Sequence, residues 1–181
     1  MTKYVAFLRA VNVGGRVVKM DELKKMFAMP GIKDISTYIQ SGNVLFSATE
    51  ANKQKLENKI EKTLLKELGY EVKVILKSAD DMAAVVKHDP FKEMEVGADM
   101  YVTFLSAVPE TALVKPLLEL TGTGNEKVKL HGSNIYMQVN KGKYGETKLN
   151  NNFFEKKLKL YATTRNWNSV NKILALMQKD Q

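Results

Sequence analysis

Residues Ile35 to Gln40 (ISTYIQ) and Asn43 to Ser47 (NVLFS) are two β-prone runs separated only by Ser41-Gly42, a turn dipeptide, and they predict a tight hairpin. The arrangement returns downstream as Lys127 to His131, the pair Gly132-Ser133, and Asn134 to Val139. Asn43 and Asn134, which open the two return strands, are separated by 134 − 43 = 91 positions, about half of the 181-residue chain. Ser78 and Ser169, read as the starts of the last helix in each half, have the same spacing. A period of that size predicts an internal duplication.

Working outward from the first hairpin, Lys3 to Arg9 reads as a strand and Met20 to Met29 as a helix, with Asp21 and Glu22 in its first turn and Pro30-Gly31 as its stop. Leu56, Ile60, Leu64 and Leu68 mark a long helix that ends at Gly69. A strand, Glu71 to Lys77, follows, and Ser78 to Asp81 resembles a capping box that opens a third helix. The second half repeats the order. It has a strand Met100 to Ser106, a helix from Pro109 that Pro116 interrupts, the second hairpin, a helix Asn151 to Leu160, a short strand Ala162 to Thr164, and a last helix carrying Trp167, Val170, Leu174 and Met177. The expected fold is α+β: two ferredoxin-like βαββαβ(α) units, residues 1–90 and 91–181, each an antiparallel sheet with helices packed on it. Tyr4 to Leu8 and Met100 to Leu105 are apolar on both parities, which predicts that both faces of each sheet are covered.

The chain is 44% hydrophobic and 27% charged, enough for a core without staples, and it has no cysteine. That excludes a disulfide framework, Cys-ligated metal and a thiolate nucleophile, and it fits a cytoplasmic protein. No apolar run approaches the ~20 residues of a membrane span, so no membrane partner is expected. The net charge of +8 is uneven: 14 − 8 = +6 over Met1 to Lys77, 5 − 9 = −4 over Ser78 to Val139, and 9 − 3 = +6 over Asn140 to Gln181. Basic ends favour anionic partners. Lys59, Lys62 and Lys66, interleaved with Glu57 and Glu61, read as an ordinary solvated helix face with i,i+4 ion pairs.

All three arginines sit in Gly/Asn-rich turns, in a protein that otherwise uses lysine for surface charge. Such placement suggests sites where a planar fork must bind carboxylate or phosphate. Four polar stretches result: 9–16, 38–43, 142–150 and 163–168. The candidate ligand-binding residues drawn from them are Arg9, Asn12, Arg16, Gln40, Ser41, Asn43, Lys148, Arg165 and Asn166. In a split-βαβ unit the β1–α1 loop and the β2–β3 hairpin lie at one sheet edge, so 9–16 and 38–43 are expected to be neighbours. The expectation is extended to a cleft between the two units that holds an anionic small molecule.

Glu146 is the sole carboxylate in these stretches, and they contain no histidine, so acid–base catalysis has few candidates and neither metal nor cofactor is expected. His88 and His131 read as separate surface or helix-end histidines. Trp167 reads as a core anchor. The alternatives to anion binding are nucleic-acid binding through the basic ends and an enzyme acting on a phosphorylated substrate. Against an RNA-reading sheet, Asn43 to Ser47 lacks the RNP1 aromatic spacing.

Three of these segments strongly resemble a known family, the bacterial domain of unknown function 1697. They are Arg9-Ala10-Val11-Asn12-Val13-Gly14-Gly15, Thr37 to Val44 (TYIQSGNV) and Ala162 to Asn168 (ATTRNWN). Ala10 stands where the family usually has glycine. The resemblance spans nearly the whole chain and implies a small two-part α+β protein with ferredoxin-like units, with no activity, substrate or catalytic residue to carry over.

Overall fold

The computed structural model describes residues 1–12, 14–39, 42–91, 96–121 and 126–179. The first sheet contains β1 (Thr2–Arg9), β2 (Ile32–Thr37), β3 (Asn43–Ala48) and β4 (Lys73–Ser78) in the order β2-β3-β1-β4, with every pair antiparallel. Helix α1 (Met20–Phe27) connects β1 to β2, α2 (Lys53–Leu68) connects β3 to β4, and α3 (Ala79–Lys87) follows β4. The second sheet repeats the plan with β5 (Ala98–Leu105), β6 (Lys127–His131), β7 (Asn134–Asn140) and β8 (Ala162–Asn166) in the order β6-β7-β5-β8. Its helices are α4 (Thr111–Thr121), α5 (Asn151–Leu158) and α6 (Trp167–Gln178). The α+β fold with two duplicated βαββαβ units is therefore as the element order predicts.

Local chemistry explains the boundaries. Asn52 caps α2 by accepting from Lys55 N at 3.0 Å, and Gly69 ends that helix at φ +76°. The capping box at α3 is reciprocal: Asp81 N donates to Ser78 Oγ at 3.2 Å and Ser78 N to Asp81 Oδ2 at 2.7 Å. In the second half the equivalent cap is Asn166, whose Oδ1 accepts from Ser169 N at 2.8 Å. The counterpart of Ser78 is thus Asn166, at an offset of 88, and not Ser169 at 91. The offset varies along the repeat because the loops differ in length; Phe7 faces Asn43 where Phe104 faces Asn134, so the first strands are 97 apart. Helix α4 runs through Pro116, which removes one intrahelical bond, to Ala112 O.

Compact units divide the chain as 1–83 with 173–181, and 84–172. The divisions at 83/84 and 172/173 fall within α3 and α6. In the first unit, Tyr4, Ala6, Leu8, Val44 and Phe46 pack with Leu23 and Phe27 of α1 and Leu56, Ile60 and Leu64 of α2. The opposite parity is buried too, Val5 and Phe7 both at 0% exposure. The C-terminal part of α6 lies beside that face, where Lys3 Nζ donates to Met177 O at 3.2 Å. In the second unit, Leu105, Ile135 and Met137 pack with Phe154 and Leu158 of α5. The other parity carries Tyr136, fully buried, whose hydroxyl donates to Val85 O in α3 at 3.1 Å. Burial drives that phenol's pKa to about 12, with Asp89 adding to the shift.

Two polar features differ from their sequence reading. His88 and His131 are distant in sequence but stack at 3.6 Å between ring centroids, 19° from parallel, because the end of α3 meets the turn of the second hairpin in the same compact unit. Among the described residues, Glu57 and Glu61 do not pair with Lys59, Lys62 or Lys66. Glu57 Oε1 accepts from Leu76 N and Glu61 Oε1 from Val74 N, each at 2.9 Å, so α2 closes the outer edge of β4. Asp81 continues the row at Ser78 N.

Burial raises the Glu57 carboxyl above its ordinary pKa against the opposing Leu76 N–H, with Glu61 adding to the rise. A raised carboxyl adds stability that is complete below about pH 4.5 and is lost as pH climbs through the folded-state value. Glu57→Gln keeps an acceptor for Leu76 N without the charge. It is expected to leave stability at pH 7 unchanged or slightly higher and to flatten the acid side of a melting-temperature profile. Glu57→Ala orphans the N–H and is expected to cost about 1–2 kcal/mol.

Candidate functional site

The predicted residues fall into two groups, one in each compact unit. In the first unit the β1–α1 loop and the first hairpin do share an edge. Leu8 N donates to Gly42 O at 2.8 Å, and Gly42 is buried against Leu8 and Val11. A Cβ at Gly42 would stand 2.8 Å from Val11 Cγ1, so the hairpin reaches the loop only through glycine. Arg9, Asn12, Arg16 and Asn43 are gathered there. Gln40 and Ser41 lie outside the described residues.

Each member has a distinct task. Asn12 Oδ1 accepts from Val18 N at 2.7 Å and closes the loop. Tyr70 Oη donates to Val11 O at 2.9 Å, and the Arg16 guanidinium lies 4.1 Å from the Tyr70 ring centroid. Arg16 is exposed, so the tyrosine holds its fork in place in front of solvent. Asn43 is completely buried and donates through Nδ2 to Tyr38 O at 2.9 Å, a hairpin tie. Arg9 is half-buried and lies across from Lys73, whose charge is met by Glu61 at 3.4 Å and Glu71 at 3.9 Å. Two of the four described non-glycine residues at positive φ lie at the same edge: Ala10 is at φ +64° and Ile39 at φ +50°, a β-branched residue in the left-handed region and half exposed.

In the second unit Arg165 is 7% exposed, and its Nη1 donates to Thr163 Oγ1 and Thr164 O, both at 2.8 Å. Burial pulls the guanidinium down to about 10, against the opposing influence of Tyr144. Asn166 is spent on the α6 cap and Lys148 is exposed. Tyr144 stacks on Tyr101 at 4.2 Å, and Gly142 N donates to Asp99 Oδ2 at 2.8 Å, which pins the loop to β5. Burial raises the Tyr101 phenol, with Asp99 and Tyr144 contributing. Glu146, the candidate base, is exposed and pairs with Lys143 at 2.6 Å.

Sequence reasoning missed Tyr70, Tyr101 and Tyr144, since isolated tyrosines carry no local signal of what they will stack on. It also missed a cluster in the first unit. Lys53 is ion-paired with Asp81, and Lys77, 8% exposed, has its ammonium lowered by burial while Asp81 and Glu57 oppose that shift. The Ser78–Asp81 capping box was the one visible trace of it. Among the described residues no three His, Asp or Glu side chains gather as a metal site would require, and no helix is long and apolar enough to cross a membrane.

No curated protein matches it. The solved structure of conserved bacterial protein SP0830 from Streptococcus pneumoniae is similar over 99% of each chain, with a TM-score of 0.79 at 22% identity, a likeness of fold. The family model described as protein of unknown function (DUF1697) matches residues 1–136, which include the strained loop and the hairpin it touches, and the chain belongs to that family.

Proposed function

We propose that the protein binds a small phosphate- or carboxylate-bearing molecule at the loop edge of the first unit, with Arg16 as the exposed contact and Arg9, Asn12 and Asn43 shaping the edge. The observation that carries this reading is the Arg16 guanidinium held over Tyr70, 4.1 Å from its centroid, while open to solvent. A planar fork fixed in advance loses little entropy on capturing a bidentate anion. The left-handed Ala10 and Ile39 support it, since strain of this kind collects at ligand clamps. A cytoplasmic location belongs to the proposal and rests on the absence of cysteine. Burial of both sheet faces favours this reading over base stacking on an open sheet.

Thermal-shift screening against inorganic phosphate, phosphorylated metabolites and dicarboxylates tests it. At a ligand concentration 100 times Kd the stabilisation is about 2.7 kcal/mol, or roughly 5–10 °C for a chain of this size. Arg16→Ala is expected to abolish the shift while leaving the ligand-free melting temperature within about 2 °C, because the residue is exposed. Retention of the full shift in Arg16→Ala would remove the proposal.

A further inference from the structure

With Glu57 and Glu61 committed to the amides of β4, the solvent face of α2 is left to lysine. Lys55, Lys59, Lys62 and Lys66 follow at intervals of four, three and four residues, the spacing of one helix face, and all are exposed. Lys55 pairs with Glu50 at 2.9 Å and Lys59 donates to Pro30 O at 2.8 Å. A groove of about 890 Å³ runs beside it, lined in part by Gly31, Thr49, Gln54 and Asn58. The same device recurs in the second unit, where Glu155 Oε1 accepts from Ala162 N at 3.0 Å and leaves Lys156 and Lys157 exposed on α5.

We propose that this face of α2 docks the sugar–phosphate backbone of a single nucleic-acid strand, a second surface that stands apart from the loop-edge reading. A regular row of ammonium groups complements a regular row of phosphates. The four lysines span about 16 Å of helix, a length that a few successive phosphates of one strand can follow. A lipid surface fits poorly. An interfacial helix inserts its apolar face, but Leu56, Ile60 and Leu64 are at most 1% exposed inside the core, and Leu65 is the one large apolar side chain on the outer face. Without aromatic platforms or base-reading side chains on the stripe, binding is independent of sequence and steeply dependent on salt.

The test uses the intact protein and a fluorescent 20-nucleotide RNA of mixed sequence, titrated by anisotropy between 25 and 200 mM salt. Four phosphate contacts predict a slope of log K against log salt of about −3. The double variant Lys62→Gln/Lys66→Gln is expected to reduce that slope by about 1.4 and to weaken binding at 50 mM salt roughly 50-fold. Its melting temperature should match the parent's. Lys156→Gln/Lys157→Gln and Arg16→Ala should bind RNA as the parent does, so loss of metabolite binding and loss of RNA binding are read separately. Absence of RNA binding at 25 mM salt, a flat salt dependence, or unchanged affinity in the Lys62/Lys66 variant would overturn the proposal. So would tighter binding to phosphatidylserine vesicles or to polyglutamate than to RNA.

Discussion

Arg165→Ala is expected to lower the melting temperature by about 6–12 °C, the equivalent of about 3 kcal/mol for a chain of this length. The side chain is 7% exposed and its Nη1 serves two acceptors, Thr163 Oγ1 and Thr164 O. Truncation opens a void and strands both acceptors, and these costs add. Arg165→Met separates the two contributions. It refills most of the volume and removes a charge whose burial already holds its pKa near 10, so a loss within about 1 kcal/mol is expected. The sign of the pH effect follows from the depressed value. The stabilising contribution of a depressed group is present above the ordinary arginine range and is gone once pH falls below about 10, so between pH 5 and 9 both variants should differ from the parent by a constant amount. Chemical denaturation of the three proteins across that range checks this, and an alanine variant melting within 2 °C of the parent would show that the guanidinium contributes little to the fold.

Gly42→Ala is expected to cost about 2–4 kcal/mol. Its φ of +73° imposes backbone strain on any side chain, and the new Cβ would stand 2.8 Å from Val11 Cγ1 and 3.0 Å from Leu8 Cβ. Gly132, in the second hairpin, supplies the internal control. Its φ is +56° with nothing within 4 Å of the added Cβ, so Gly132→Ala should show the conformational cost alone, about 1 kcal/mol. Urea unfolding of both variants measures the difference, which is the price of crowding at the loop edge. Gly42→Ala should also weaken metabolite binding at that edge, because the hairpin must withdraw from Leu8 and Val11 to make room. Equal costs at the two glycines would contradict the crowding argument.

The residues that were read correctly and those that were not differ in one physical respect. Ser78 and Asp81 are three positions apart, and their mutual hydrogen bonds depend on nothing outside the first turn of α3, so the capping box was legible. The adjacency of residues 9–16 to the first hairpin was legible as well, since strand direction alone places both at one edge. The first hairpin's outer strand was misplaced: Ile35 to Gln40 was expected, whereas β2 covers Ile32–Thr37. The bulge between Lys33 and Ser36, with Asp34 at φ +54°, and the left-handed Ile39 break the period that alternation assumes. Asn12 and Asn43, chosen as ligand contacts, have side chains engaged by Val18 N and Tyr38 O. An asparagine in a turn has the same local signature whether it meets a ligand or the backbone.

Order of elements, duplication, coverage of both sheet faces and the cap of α3 were determined by the sequence by itself, because each follows from side-chain period and from neighbours within a few residues. Tertiary structure alone decided that His88 meets His131, that Arg16 lies on Tyr70, and that Glu57 and Glu61 turn to β4 rather than to Lys59, Lys62 and Lys66. The amides those glutamates satisfy belong to the outer edge of β4. That edge comes into being only when the sheet assembles, so no local pattern could announce it.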